Sequence, residues 1–386
     1  MSVRKVLVAI TARPSYSRIR SALVHLRENP RVELKILCSG SSLLDRYGRV
    51  VDFIRADGFD VIDEAYTFVE GDDLINMALT TSNTIAYTAA ILRRERPDVV
   101  VSIADRYETL GTAIAASYMN IPLVHVQGGE LTGNIDEKVR HSITKLADLH
   151  LPSTAEAARR LVRMGENPDS IYVTGCPSID IARECLSIPL ADVVAATDRI
   201  SAGGHFDLDG PYLVVLLHPE TDTHENSYQQ MDMLLDVVAD CHLPTLLFWP
   251  NVDAGSDGTS KAVRIFRESG RADHFTFVKN LEGHQFLALL RDASCLIGNS
   301  SVGIRECAFL GTPVVNIGDR QQGRERAENV LDVPWERDLL KAALERQIDH
   351  GRYPSSDLYG DGKAGPVIAR TIATARTSFT KRFHDG

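Results

Sequence analysis

Short links between alternating strands and helices predict an α/β chain built from two Rossmann-like, doubly wound domains facing a central cleft. Three observations carry that expectation. Apolar strand runs such as VRKVLVAIT near the start and PDVVVSI at 97–103 are continuous rather than alternating, as in strands covered by helices on both faces. The alternation breaks at Gly175-Cys176-Pro177 and restarts at Pro211. A chain of 386 residues also exceeds what one ordinary core holds.

In the first half, strands are expected at 3–11, 32–38, 59–63, 98–103, 123–127, 149–152 and 171–174. Helices are expected over about 15–28 and 72–95, and from Tyr107, Ile135 and Thr154 onward. A polar, glycine-containing connection at 187–211, with a helix inside it, marks the boundary between a domain of 1–186 and one of 187–365. The second domain reads as strands at 212–217, 244–249, 274–278, 294–298 and 313–316. Its helices are expected at 226–240, 257–268, 282–291, 302–309 and 336–349. A last helix, from Pro366 to about Phe383 within the segment 366–386, has no strand to return to and is expected to pack on the first domain.

Composition narrows the function classes. A net charge of -10 with no Lys/Arg stripe argues against a nucleic-acid binder. No apolar run is long enough to span a bilayer, and MSVRKVLVAIT reads as a first strand, not a signal peptide. Six cysteines without CxxC spacing read as reduced core residues of a cytoplasmic protein. The histidines form no HxxxH pair and the acids lack calcium-loop spacing, so no metal is expected. Neither GxGxxG nor GxxxxGK[ST] occurs, nor GxSxG, which leaves no dinucleotide, P-loop or serine-hydrolase reading and no cofactor.

The richest stretch runs from Leu123 to Leu146, LVHVQGGELTGNIDEKVRHSITKL, a strand, a polar turn and an amphipathic helix. Ligands collect at the carboxyl ends of strands in open α/β sheets, which puts Glu130 and Asp136 where a substrate binds. Glu137, His141 and Lys145 recur every four residues and share one helix face. Helix capping by Asn134 and Glu137, with Asp136 against the helix dipole, is the competing account for those acids. Asp105 and Arg106 follow the strand VVVSI, so Asp105 joins Glu130 at the same sheet edge, where one acid can remove a proton and another donate one.

Arg13 follows the first strand at the position of a phosphate loop, and a glycine-free loop holds an anion through a guanidinium. In the second domain, Ser300, Ser301 and Glu306 open a helix directly after a strand, a place suited to a diphosphate and ribose hydroxyls; simple helix capping is the alternative. Arg320, Arg324 and Arg326 follow, and one of them is expected to neutralise phosphate. His218 ends a strand in LLHPET, while Asn251 and Asp253 end another and either read a base or sugar or form a turn.

Taken together, ADRYETLGTAIAA, HVQGGELTGNIDEKVRHSITKLADLH, LHPET, PNVDAGSDG and GNSSVGIRECAFLGTPVVNIGDRQQGR resemble the hydrolysing UDP-N-acetylglucosamine 2-epimerases of sialic acid biosynthesis. The resemblance runs from Arg13 to about Arg326 in matching order. It implies two Rossmann-like domains in the GT-B arrangement, and conversion of UDP-GlcNAc and water to N-acetylmannosamine and UDP through a 2-acetamidoglucal. It further implies catalytic roles for Asp105, Glu130 and Asp136, with His218 near the diphosphate. Nucleotide contacts are implied for Arg13, Arg106, Asn251, Ser300, Ser301 and Glu306, with Arg320 or Arg324 alongside. The implied partners are a UDP-sugar and UDP, and a second or further copies of the chain in a homodimer or homotetramer.

Three positions depart from the family pattern: Ala104 in place of glycine, Arg13-Pro14 in place of Arg-Ala, and HPET in place of HPVT. A 2,4-diacetamido-6-deoxy sugar or a GDP-linked donor therefore stays open beside UDP-GlcNAc. So do the non-hydrolysing epimerases, a GT-B glycosyltransferase and a non-catalytic nucleotide-sugar sensor.

Overall fold

The computed structural model describes residues 3–45, 48–70, 74–132, 135–202, 210–218, 226–249, 256–278, 281 and 283–385. The chain divides into two compact units, Met1–Asp180 with Tyr359–Gly386, and Ile181–Leu358.

In chain order, the first unit comprises β1 (Arg4–Ile10), α1 (Arg13–Ser17), α2 (Arg20–Glu28), β2 (Val32–Ser39), α3 (Val50–Ala56), β3 (Val61–Ala65) and α4 (Leu74–Glu95). It continues with β4 (Val99–Ile103), α5 (Tyr107–Tyr118), β5 (Leu123–Val126), α6 (Ile135–Leu146), β6 (Leu149–Leu151) and α7 (Ala155–Arg163). The next helix, α8 (Pro177–Glu184), carries the chain from one unit to the other. The second unit adds α9 (Leu190–Ile200), β7 (Ser201–Ala202), β8 (Leu213–Leu216), α10 (Ser227–Ala239), β9 (Thr245–Phe248), α11 (Ser256–Glu268), β10 (Phe275–Val278) and α12 (Gly283–Asp292). It ends with β11 (Cys295–Gly298), α13 (Ser301–Ile304), α14 (Glu306–Leu310), β12 (Val314–Ile317), β13 (Val330–Val333) and α15 (Arg337–His350). Finally, α16 (Ala364–Thr374) belongs to the first unit.

Each sheet is doubly wound. The first has the parallel order β3-β2-β1-β4-β5-β6, the second β13-β12-β11-β8-β9-β10-β7, parallel except where β7 meets β10. The strands are Val-, Leu- and Ile-rich and buried along most of their length, because helices cover both faces. In the first unit, α2, α3 and α16 close one apolar face, and α4, α5 and α6 the other. The order of strands reverses once in each sheet, between β1 and β4 in the first and between β8 and β11 in the second. Those reversals are the places where strand ends leave room for a ligand.

Several expected elements are corrected. The first helix is broken at Arg18 and Ile19 into α1 and α2, and the 302–309 helix into two short turns at Arg305. The strand expected at 171–174 shrinks to a single bridge between Ile171 and His150, since β6 is only three residues long and Pro152 ends it. Two short strands, β7 and β13, are additions. The last helix stops at Thr374, where Arg4 donates to the carbonyls of Ile372 and Ala375. The tail beyond is pinned instead by Lys381, which donates to Thr144 O (2.9 Å) and Ala147 O (2.6 Å) and pairs with Glu166. At the start of α16, Asp180 accepts from the backbone of Ala364 and Gly365 at 2.8 and 2.6 Å.

Candidate active site

In the first unit, the chain leaves β4 through Ala104 and β5 through Gln127, both with left-handed backbone (φ 62° and 67°). Such a conformation turns the chain sharply at a strand end, and a side chain there costs roughly 1 kcal/mol. Gly129 (φ 80°) is obligatory, because a Cβ there would lie 2.4 Å from Ala157 O. The two turns deliver Asp105 and Glu130, 7% and 5% exposed, to adjacent positions on the sheet edge.

One side chain absent from the sequence expectations binds these turns together. Arg140, on the inner face of α6 and 1% exposed, forms an ion pair with Asp105 and donates to Glu130 O (2.9 Å) and Thr132 Oγ1 (3.3 Å). Arg18 approaches the other Asp105 oxygen at 4.0 Å. Beneath them His125, fully buried in β5, donates from Nε2 to Ala104 O at 2.8 Å, with Thr144 Oγ1 3.2 Å from Nδ1. Burial pushes that imidazole down to about 3, so it is a neutral brace between the ends of β4 and β5.

The remaining expected residues of this unit have mixed positions. Arg13 opens α1 and is exposed. Arg106 is half-buried and held at 3.2 Å by two hydrogen bonds to Glu108, a fully buried acid that the sequence expectations omit. Glu108 raises the Arg106 pKa more than any other group, with a smaller contribution from Asp136, which places Asp136 within electrostatic reach. The expected stack on α6 holds between Glu137 and His141 and loses Lys145. Glu137 accepts from Thr132 N (2.9 Å) and pairs with His141 at 3.6 Å. Lys145 turns away to Glu166 (2.7 Å) and Met164 O (3.0 Å), a structural tie to the tail.

In the second unit the reversal between β8 and β11 is closed by Asn299, which is fully buried. Its carboxamide accepts from His218 N and donates to His218 O, both at 2.8 Å. Its own carbonyl accepts from Arg320 (3.1 Å) and Gln321 Nε2 (2.9 Å), so one residue laces the ends of β8, β11 and β12. Gly298 (φ 148°) allows this closeness, since a Cβ would lie 2.0 Å from Leu216 O. Burial and the nearby Arg320 push His218 down to about 3, which keeps the ring neutral.

Ser300 caps α13 by accepting from Val302 N, and Ser301 begins it. Because α13 is a single turn, its dipole is small; hydroxyls, backbone N–H groups and Arg320 remain as the means of holding an anion. The buried atoms Glu306 Oε2, Gln321 Oε1 and His218 Nδ1 have no hydrogen-bond partner among the described residues. Arg324 is half-buried on the same connection, whereas Arg326 is spent on Asp332 at 2.8 and 3.0 Å. Asn251 and Asp253 lie outside the described residues.

The UDP-N-acetylglucosamine 2-epimerase family model matches residues 24–373. The chain belongs to that family. It is 30% identical to the "UDP-N,N'-diacetylbacillosamine 2-epimerase (hydrolyzing)" of Legionella pneumophila over 374 residues, 96% of each chain. It is 32% identical to the "Polysialic acid biosynthesis protein P7" of Escherichia coli over 351 residues, 90% of this chain and 87% of that one. Among solved structures, the UDP-GlcNAc 2-epimerase of Neisseria meningitidis bound to UDP-GlcNAc superposes with a TM-score of 0.80, covering 95% of this chain and 99% of that one. Its 17% identity makes that a likeness of fold alone. As a member of this epimerase family the chain is an enzyme.

Proposed function

We propose that the chain is a hydrolysing nucleotide-sugar 2-epimerase, taking UDP-GlcNAc or a close 2-acetamido analogue and water to the free 2-epimeric sugar and UDP. The observation that carries the reading is the pair of buried acids delivered by adjacent strands, Asp105, whose carboxylate pairs with Arg140, and Glu130, whose backbone carbonyl accepts from the same guanidinium. The hydrolysing relative at 30% identity supports the subtype.

The C2 hydrogen, on the carbon that bears the acetamido group, is only weakly acidic, so its removal calls for a fixed carboxylate base. That base takes the proton, the C2–H electrons form the C1=C2 bond, and the C1–O bond breaks with its electrons leaving on UDP. Water then returns a hydroxyl to C1 and a proton to C2 from the opposite face, completing the inversion. Asp105, Glu130 and Asp136 are assigned to these proton transfers. Ser300, Ser301, Arg320 and neutral His218 are assigned to the leaving diphosphate, whose charge they balance. Glu306, with a buried oxygen available, accepts from the ribose. Arg13, Arg106, Arg324 and Asn251 complete the nucleotide contacts.

The test is product identification by 1H and 31P NMR over a panel of UDP- and GDP-linked 2-acetamido sugars. Free N-acetylmannosamine or its 4-acetamido analogue, with free nucleoside diphosphate, is the expected outcome. Intact UDP-ManNAc would assign the non-hydrolysing reaction, and turnover only with an added acceptor would assign a glycosyltransferase.

A further inference from the structure

The helix α6 brings Asp136 and Arg140 to the sheet edge, and its far end is held by a residue 237 positions away. The last carbonyls of a helix lack donors within it. Here Lys381, on the segment after α16, donates to Thr144 O (2.9 Å) and Ala147 O (2.6 Å), while Ser117 Oγ of α5 donates to Leu146 O (3.3 Å). An ammonium at that end also meets the negative pole of the helix dipole. The lysine is itself fixed by Glu166, a side chain 1% exposed and 2.5 Å away. Glu166 in turn pairs with Lys145 at 2.7 Å, and His150 Nε2 lies 2.8 Å from its second oxygen.

The segment is anchored on both sides of Lys381. Arg4 donates to Thr377 Oγ1 (3.1 Å), His384 N donates to Gly165 O (3.0 Å), and the Phe383 ring lies so close on Gly165 that a Cβ there would come within 2.2 Å of it. Phe379 and Phe383 stay 59% and 66% exposed, so burial of apolar surface does not account for the course of the segment; its polar ties do. From Lys381 a line of contacts leads to the acids. Thr144, whose carbonyl Lys381 holds, has its Oγ1 3.2 Å from His125 Nδ1, and His125 Nε2 donates to Ala104 O, one residue before Asp105. Arg140, one helical turn before Thr144, pairs with Asp105 itself.

We propose that Lys381 is a positioning residue for the reaction: by holding the end of α6 it sets that helix against the ends of β4 and β5, and so places Arg140 and Asp136 relative to Asp105 and Glu130. Placement of this kind is worth a great deal, since a displacement of about 1 Å can cost about 100-fold in rate. The inference rests on the assignment of Asp105, Glu130 and Asp136 to proton transfer, and adds to it a group that acts only through the helix it holds.

Lys381→Met removes the ammonium and keeps the length of the side chain. Its kcat for nucleotide release is expected to fall about tenfold or more, with KM within about twofold and UDP bound at wild-type stoichiometry in calorimetry, which excludes a loss of folded protein. Thr144→Val should do the same, and the double variant should lie within about threefold of the worse single one, because both act through α6. Arg382→Met, at the exposed neighbour of Lys381, should match wild type. Hydrogen exchange read by mass spectrometry needs no turnover: Lys381→Met should speed exchange at 104–109, 128–132 and 135–140 as well as at 144–147. A normal kcat in Lys381→Met or Thr144→Val, effects that multiply in the double variant, or faster exchange confined to 144–147 and the segment after α16 would each overturn the proposal. A wild type that releases no nucleotide from any donor would instead sink the proposed reaction, and the exchange result would still decide whether Lys381 sets α6 against the sheet edge.

Discussion

The two sheets end in edges of opposite character. That of the first unit is ionic: Asp105, Arg140 and Arg18 cluster there, with Arg106 on Glu108 beside them. That of the second is laced by amides, with Asn299 and Gln321 bonding neutral groups and a neutral His218, and Arg320 the cation joined to that lacing. Buried charges of both signs are suited to moving protons, whereas a cradle cross-braced by amides and joined to a cation is suited to holding an anion still. Under the proposed function the same topology serves two tasks, and the difference lies in which residues follow each strand.

The largest effect expected along this division is on chemistry. Glu130→Gln should lower turnover by about 10³-fold or more while calorimetry finds UDP affinity within about threefold of wild type. Next is the ionic edge itself: Arg140→Met leaves buried Asp105 with Arg18 alone at 4.0 Å and should cost about 3 kcal/mol in chemical denaturation. The brace beneath it makes the first unit acid-sensitive. His125 is depressed by burial to about 3 from the ordinary 6.5, so the unfolded chain takes up the proton first as pH falls. That contribution is complete above the unfolded value and is lost toward pH 3, amounting to about 2 kcal/mol by pH 5. Thermal melts at pH 7 and pH 5 measure it, and His125→Asn should flatten the difference.

The amide-laced edge should respond in binding. Arg320→Ala is expected to raise the UDP Kd about tenfold, with turnover at saturating substrate changed less than in Glu130→Gln. The smallest effect belongs to Ala104. Its φ of 62° favours glycine, so Ala104→Gly should stabilise the protein by about 1 kcal/mol, read as a higher Tm.

Much of the frame was legible because buried parallel strands advertise themselves as unbroken Val, Ile and Leu runs, as in β1 and β4. The glycines after β5 and the polar residues after β11 likewise announce strand ends. What escaped depends on partners distant in the chain. Arg140 reads as a solvated helix residue until the ends of β4 and β5 close over it; its place on the same face as Val139, Ile143 and Thr144 was the available signal. Lys145 looked like part of a helical stack because Glu166 and Lys381 could not be brought to it by spacing alone. Asn299 is not singled out by the sequence, because its work is done on His218, 81 positions away. The short strands β7 and β13 carry too little apolar length to stand out, and β13 includes Asp332.

The most direct test of the division between proton chemistry and nucleotide holding is solvent exchange at carbon. Wild-type protein turning over UDP-GlcNAc in deuterated water should release sugar carrying one deuterium at C2, and Glu130→Gln should bind UDP yet release almost none. Product with hydrogen retained at C2, or labelled product formed at the normal rate by Glu130→Gln, would contradict the account.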